Sequence, residues 1–198
     1  MAQKTDTSED LRVQRTRKLL QEAFIALTVE KGFAAITVRD ITERAMVNRS
    51  TFYRHYLDKY DLLEQYMNEL YALTSEESFL AEKLGTAPNE VPSGLVNLFK
   101  HVQKYADFYR VMLGTQGDPV FTERFRQNAE KRFRLLLSNI EPDPNAPPVD
   151  LRISYVSYAG IGAIVWWLEN NQQCTPEQLA IWLGQLSTTK DVLQLRKA

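Results

Sequence analysis

The chain has 198 residues, a quarter of them charged, and a formal net charge of -1. This length is ample for a buried core. The single cysteine, Cys174, excludes an internal disulfide and a cysteine-rich zinc site, and we expect no metal or cofactor. The N-terminal sequence MAQKTDTSED is polar and carries no signal-peptide pattern, so we expect a cytoplasmic protein.

The charge is unevenly distributed along the chain. Residues 1–60 carry eleven Lys or Arg against eight Asp or Glu, an excess of three positive charges, so the other residues carry an excess of four negative ones. So small an excess is also expected of an ordinary solvated surface, and it does not predict nucleic-acid binding by itself. The placement of the basic residues is more informative, because they lie on the first predicted helix and around the motif that follows it.

The first predicted element is a helix from about Asp10 to Lys31. Its apolar residues recur at helical spacing and predict one buried face: Leu20, Ala23, Phe24 and Leu27. Gly32 is placed to end the helix in a left-handed conformation.

Residues 37–63, TVRDITERAMVNRSTFYRHYLDKYDLL, predict two short helices joined by a tight turn and followed by the start of a third. Thr37 and Asp40 have the spacing of a capping box at the start of the first helix. After a break at Met46 and Val47, Asn48 is a suitable N-cap for the second helix, and Asp58 can cap the third. This arrangement predicts a helix-turn-helix unit.

The same stretch resembles the helix-turn-helix signature of TetR-type bacterial transcriptional regulators. Two positions depart from the family pattern, since Met46 stands where Gly is frequent and Ser50 where Gly or Ala is common. The alternative is an unrelated bundle of amphipathic helices. The matching residues are Thr37, Val38, Ile41, Ala45, Val47, Thr51, Phe52, Tyr53, His55, Tyr56, Asp58, Lys59 and Leu62.

The pattern and the resemblance together predict an all-α fold of about nine helices. A three-helix DNA-binding head would span residues 1–60, and a helical body for dimerisation and effector sensing would span residues 61–198. We use the terms head and body for these two ranges below.

Candidate DNA contacts follow from reach and from the resemblance. The N-terminal residues of a recognition helix lie nearest the base edges, so Arg49, Ser50 and Thr51 are the candidates for reading sequence, with Arg49 foremost. Arg54 is a further basic candidate within the motif. His55 could equally be a packed core residue. The resemblance implies that phosphates, which fix register, are faced by Thr37, Tyr53, His55 and Lys59.

Apolar stripes predict that the body is helical throughout, beginning with a helix from Leu63 to about Leu84. The segment from Ile153 to Leu168 contains no charged residue. Its sixteen residues fall short of the ~20 that a membrane span needs, and serines and tyrosines dilute it. We therefore expect a buried helix of the body and no membrane contact.

The body is rich in aromatic residues, which line both ligand pockets and ordinary cores. The sequences FYRVMLG at 108–114 and WWLEN at 166–170 resemble a TetR-type subset that includes activators of dihydroxyacetone utilisation. That resemblance implies that the signal can arrive through a protein co-regulator instead of a small-molecule effector. The candidate ligand-binding residues are Phe99, Tyr105, Phe108, Tyr109, Met112, Phe125, Tyr155, Tyr158, Trp166 and Trp167.

Residues 175–178, Thr-Pro-Glu-Gln, predict a capped start for the last helix. The resemblance implies a homodimer through the last two helices, although the same apolar residues could pack inside the monomer. Two heads held roughly 34 to 36 Å apart would then read a pseudo-palindromic operator. The candidate interface residues are Leu179, Trp182, Leu183 and Leu186.

The sequence therefore predicts a sequence-specific regulator of transcription, a repressor that an effector releases from double-stranded operator DNA. The alternative is a helix-turn-helix adaptor or activator that acts through a protein partner. We expect no enzymatic activity, because His55 and His101 are far apart in sequence and no phosphate loop, nucleophile elbow or His-Glu-x-x-His motif is present.

Overall fold

The computed structural model describes residues 3–73, 93–115, 117–137 and 147–187, and these residues form nine α-helices, one 3-10 turn and no strand. The predicted all-α class is confirmed. The elements are α1 (Gln3–Lys31), the 3-10 turn (Phe33–Ala35), α2 (Val38–Arg44), α3 (Arg49–Tyr53), α4 (Lys59–Leu73), α5 (Ser93–Lys104), α6 (Ala106–Leu113), α7 (Pro119–Leu137), α8 (Val149–Glu169) and α9 (Pro176–Ser187).

The first helix begins earlier than predicted, at Gln3 and not near Asp10. The prediction missed this extension because residues 3–10 contain no periodic apolar residues. At the other end Gly32 has a φ of 76° and a ψ of 149°. The positive φ was predicted, but the ψ lies outside the left-handed helical region and in one that essentially only glycine adopts. The predicted helix to about Leu84 is present from Lys59 to Leu73, and its remainder lies outside the described residues.

The head is built around the apolar face of α1. The 3-10 turn, α2 and α3 follow α1 along the chain, and the turn and α2 pack on it. Val38 and Val47 are half-buried at the edge of this core. The fully or nearly buried residues of the head include those whose spacing predicted one face: Leu20, Ala23, Phe24, Leu27, Ile41, Ala45, Phe52 and Tyr56.

Head and body share one continuous core. Phe24 of α1 packs edge-on against Phe108 of α6, with ring centroids 6.0 Å apart. Tyr66 of α4 contacts the same Phe108 ring at 5.8 Å. Packing is therefore unbroken where the sequence suggested a boundary after residue 60, and that boundary stays a prediction.

Helix α8 was predicted to be buried, but only one of its faces is buried. One face is buried and includes Ile153, Ile164 and Trp167. The opposite face leaves Tyr155, Tyr158 and Trp166 exposed. The prediction was wrong for this second face, because the absence of charge does not imply burial on all sides. By length and composition alone α8 could span a membrane, but within the fold it packs on α6 and α7 as a helix of the body.

Helix α9 begins at Pro176, as predicted, and the backbone N–H of Gln178 donates to the Thr175 hydroxyl at 3.2 Å. It packs along α5, where Lys100 and Glu177 form an ion pair of 2.9 Å.

A polar contact joins α4 to α5 inside the body. The Tyr66 hydroxyl and Nε2 of His101 are 2.8 Å apart. Burial lowers the pKa of His101 to about 4, and it raises the pKa of Tyr66 above its usual value. His101 is therefore neutral in the folded protein at neutral pH.

His101 is expected to contribute to acid instability. In the unfolded chain it binds a proton near pH 6.5, whereas in the fold it stays neutral down to about pH 4. Lowering the pH through this window therefore favours the unfolded state. We expect the melting temperature to fall between pH 6.5 and 4, and to fall less in His101→Gln, as followed by circular dichroism. Equal acid slopes in His101→Gln and the unaltered protein would contradict the assignment.

Candidate nucleic-acid interface

The start of α2 is a complete capping box, as the sequence predicted. The Asp40 backbone N–H donates to the Thr37 hydroxyl oxygen at 3.2 Å, and the Thr37 backbone N–H donates to the Asp40 carboxylate at 2.9 Å. The hydrogen bond from the Thr37 hydroxyl, followed by that from Lys31, holds the pKa of Asp40 well below its usual range. Thr37 thus fixes where α2 begins on the exposed side of the head.

The turn between α2 and α3 is held by main-chain hydrogen bonds. The Val47 N–H donates to the Thr42 carbonyl at 3.0 Å. Met46 has a φ of 54° and is 89% exposed. Because a positive φ disfavours side chains with a Cβ, this is the position at which glycine fits without strain.

Helix α3 has only five residues and begins at the predicted position, after Asn48, although the Asn48 side chain makes no capping hydrogen bond. Phe52 anchors it and is fully buried. Arg49 and Ser50 are exposed at its first turn, and Thr51 beside them is half-buried.

The candidate base-reading residues therefore lie together at the N-terminal end of α3. On α2, Arg39 forms an ion pair with Glu43 and Arg44 forms one with Glu30. The positive charge of these two arginines is therefore largely compensated. Arg49 has no ion pair or side-chain hydrogen bond within the described part of the chain. An uncompensated guanidinium at the tip of a short exposed helix is suited to a guanine edge or a phosphate.

Tyr53, Arg54 and His55 surround this tip. Tyr53 and Arg54 are exposed, and Nη2 of Arg54 donates to the Thr51 hydroxyl at 3.1 Å. His55 is half-buried, and burial, then the charges of Arg17 and Arg54, lower its pKa. A neutral imidazole could donate one hydrogen bond to a phosphate but would bring no charge to it.

Comparison with known proteins agrees with this geometry. Residues 20–66 match the family model described as "Bacterial regulatory proteins, tetR family", and residues 89–189 match that of a TetR "Transcriptional regulator C-terminal region". The chain belongs to the TetR family of bacterial transcriptional regulators.

Solved TetR-family structures share the whole fold. A TetR transcriptional regulator from Streptococcus agalactiae 2603V is 27% identical, with 92% of this chain and 98% of that one aligned and a TM-score of 0.64. The dihydroxyacetone kinase operon activator DhaS is 19% identical over 87% of this chain and 94% of its own, again with a TM-score of 0.64. NalD, the secondary repressor of the MexAB-OprM multidrug efflux pump in Pseudomonas aeruginosa, is 20% identical over 88% and 94%, with a TM-score of 0.58.

Two relatives are similar in sequence, both uncharacterised helix-turn-helix transcriptional regulators of Bacillus subtilis strain 168. YxbF is 48% identical over 56 residues, and YuxN is 24% identical over 120 residues. The aligned parts make up 28% and 60% of this chain but only 15% and 41% of those two proteins.

Lys59 does not lie where the resemblance implied, facing a phosphate. Its ammonium donates to the backbone carbonyls of Phe33, Ala34 and Ile36 at 2.9, 3.1 and 2.9 Å. An ammonium has three N–H donors, so none is left for a phosphate in this arrangement. Sequence reasoning missed this role, because nothing in the local pattern shows that these carbonyls converge on α4.

In the described part of the chain, the ten candidate ligand-binding residues lie in three different environments, and their role stays a prediction. Tyr105 lies beside a groove of about 440 Å³ between α1 and α4. Tyr155, Tyr158 and Trp166 are exposed on α8. The remaining six are packed in the core: Phe99, Phe108, Tyr109, Met112, Phe125 and Trp167.

The candidate interface residues are better placed together. Leu179 is buried and Leu183 is half-buried, whereas Trp182 and Leu186 are exposed. All four line a groove of about 920 Å³ between α8 and α9. The α8 side of this groove has residues that recur at helical spacing and that the sequence analysis did not name as interface candidates: Ala159, Gly162, Ala163 and Trp166.

Met46→Gly is expected to stabilise the protein. The left-handed conformation costs a residue with a Cβ roughly 1 to 2 kcal/mol, and the greater freedom of glycine in the unfolded chain offsets part of that gain. We expect a net gain of up to about 1 kcal/mol in the free energy of unfolding, measured in urea. Met46→Ala is the matched control because it removes the side chain and keeps the conformational cost. The reasoning fails if Met46→Gly is less stable than Met46→Ala.

Proposed function

We propose that this TetR-family regulator binds a pseudo-palindromic operator in double-stranded DNA as a cytoplasmic homodimer. The observation that carries the proposal is the exposed tip of α3, where Arg49 has no partner among the described residues and stands beside Ser50 and Thr51. The capping box at Thr37 and the buried ring of Phe52 hold the two helices of the motif in place behind it.

The roles of the side chains follow from their exposure. Arg49, Ser50 and Thr51 read base edges in the major groove, with Arg49 suited to a bidentate contact with guanine. Tyr53, Arg54 and His55 flank that helix and position it on the phosphates. Thr37, exposed at the start of α2, contributes to the interface by fixing where that helix begins.

Dimerisation occurs through the groove between α8 and α9. Trp166, Trp182 and Leu186 expose 45%, 40% and 54% of their surfaces there, next to small residues that permit close approach. A second copy offers the same apolar face, as a two-fold interface requires. The pairing would set the distance between the two heads, so that α3 of each copy enters a successive major groove.

We propose that the regulator is a repressor that an effector releases from its operator. We also propose that it has no enzymatic activity. Likeness of fold does not decide between repression and activation, because the similar structures include an activator, DhaS, and a repressor, NalD. The second candidate is therefore an adaptor or activator that receives its signal from a protein co-regulator. The exposed Tyr155 on α8 favours this alternative, since it does not line the α8–α9 groove and remains open to a partner.

Selection of duplexes from a random pool tests DNA recognition directly. We expect an inverted repeat to be enriched, with an affinity that falls steeply as salt rises, because several phosphates are neutralised. No enrichment from protein shown to be folded would favour the protein-partner alternative.

Substitutions in α3 separate the roles of its residues. Arg49→Ala should cost about 1 to 3 kcal/mol per half-site and relax the preference at one base position, because it removes a base contact. Tyr53→Phe should weaken selected and unrelated duplexes alike, because it removes a phosphate contact. Both are measured by fluorescence anisotropy. Equal losses on both kinds of duplex in both variants would contradict this division of roles.

Trp182→Asp should dissociate the dimer, because it puts a charge into the apolar groove between α8 and α9. Sedimentation analysis at micromolar concentration should show a monomer that binds a full operator more weakly. Val120→Asp is the matched control, since it adds the same charge to an exposed apolar residue of α7 outside the groove lining, and it should remain dimeric. A dimeric Trp182→Asp would place the interface elsewhere.

A further inference from the structure

Three backbone carbonyls converge on one point between the end of α1 and the start of α2. Helix α1 ends at Lys31, and Gly32 turns the chain into the 3-10 turn. The Phe33 carbonyl also accepts the Ile36 N–H at 3.3 Å. The carbonyls of Ala34 and Ile36 each accept a hydrogen bond from the Lys59 ammonium. Such a convergence of carbonyl oxygens is a site for a cation.

The Lys59 ammonium fills this site completely. Its three hydrogen bonds match the three donors of an ammonium group. The rings of Phe33 and Tyr60 lie beside it, with centroids 4.7 and 5.5 Å from Nζ. Turning this ammonium toward a phosphate would break all three hydrogen bonds and both ring contacts. We call this set of contacts, from Lys59 to the carbonyls of residues 33, 34 and 36, the Lys59 clamp.

The clamp ties the start of α4 to the start of α2. Ile36, whose carbonyl it holds, directly precedes Thr37, the N-cap of α2. The Lys31 ammonium reaches Asp40 of the same capping box at 3.0 Å. The end of α1, the start of α2 and the start of α4 are therefore joined by two lysines within a short stretch of the head.

We propose that Lys59 is a positioning residue that fixes α2 against α4 through the carbonyls of residues 33–36, and that it neutralises no phosphate. This inference deepens the proposed function and rests on it where DNA binding is concerned. It reverses the role that the resemblance implied for Lys59. The clamp itself is a property of the folded protein without DNA, so it can be tested with and without a duplex.

An arginine substitution separates the two roles. Arginine binds phosphates as well as lysine does or better, so Lys59→Arg would preserve a phosphate contact. The planar guanidinium cannot direct three donors at three carbonyls that surround one point. Lys59→Met keeps a similar length and apolar stem but removes every donor. The matched control is Lys131→Met on α7, which removes one exposed positive charge remote from the clamp.

Thermal unfolding without DNA is the first measurement. We expect Lys59→Met to lower the melting temperature by about 4 to 8 °C, Lys59→Arg to lower it by a smaller but clear amount, and Lys131→Met to leave it unchanged. Unchanged melting temperatures in both Lys59 variants would overturn the clamp. If Lys59→Met fails to fold, Lys59→Arg still decides between the two roles.

Amide spectra at 25 °C, with the variants folded, distinguish positioning from a general loss of stability. We expect the N–H signals of Ile36, Thr37 and Asp40 to shift in both Lys59 variants, whereas those of α9 stay in place. Shifts spread evenly over the molecule, or no shift around Thr37, would overturn the positioning role.

DNA binding at several salt concentrations completes the test. If Lys59 neutralised a phosphate in each protomer, Lys59→Met would lower the slope of log K against log salt by about 2, and Lys59→Arg would bind normally. The clamp instead predicts an unchanged slope, with affinity reduced about tenfold in Lys59→Met and reduced also in Lys59→Arg. A lowered slope with a normal Lys59→Arg overturns the inference. Failure of the unaltered protein to bind any duplex would overturn the proposed function instead, and the other two measurements would still decide the clamp.

Discussion

The head of this regulator depends on the packing of Phe24 against the body. The Phe24 ring is fully buried and meets Phe33 and Phe108 edge-on, at centroid distances of 5.9 and 6.0 Å. Such aromatic pairs contribute about 0.5 to 1.5 kcal/mol each beyond their buried area. A helix of five residues such as α3 is not stable alone. The place of Arg49 at its tip is therefore set by a core to which the body contributes.

This shared core has a mechanical consequence. Phe108 belongs to α6 and contacts both Phe24 of α1 and Tyr66 of α4. A displacement of α6, by a ligand or by a partner, would change the support of both helices at once. The head is thus coupled to the body by direct packing, and the unbroken core explains why residue 60 marks no visible division between them.

Local signals were enough to predict the motif but not what surrounds it. Thr37 with Asp40, the start of α3 after Asn48, and Thr175 before Pro176 each concern neighbours in sequence, and each was found as predicted. The role of Lys59 was missed because it depends on carbonyls more than twenty residues away. The ligand-binding role of the body's aromatic residues stays a prediction, because helical spacing shows which side chains share a face and says nothing about what covers that face.

Helix α8 joins the two halves of the proposed mechanism, because its opposite faces meet different partners. Trp167 is buried in the core that contains α6, and its indole N–H donates to the Cys174 carbonyl at 2.9 Å. The adjacent Trp166 lines the exposed groove with α9. Exposed apolar patches of this kind are usually covered by another molecule. If a second copy covers the groove, the dimer contact lies on one side of α8 and the core that supports the head lies on the other. The spacing of the two heads is then fixed by packing on both sides of this helix.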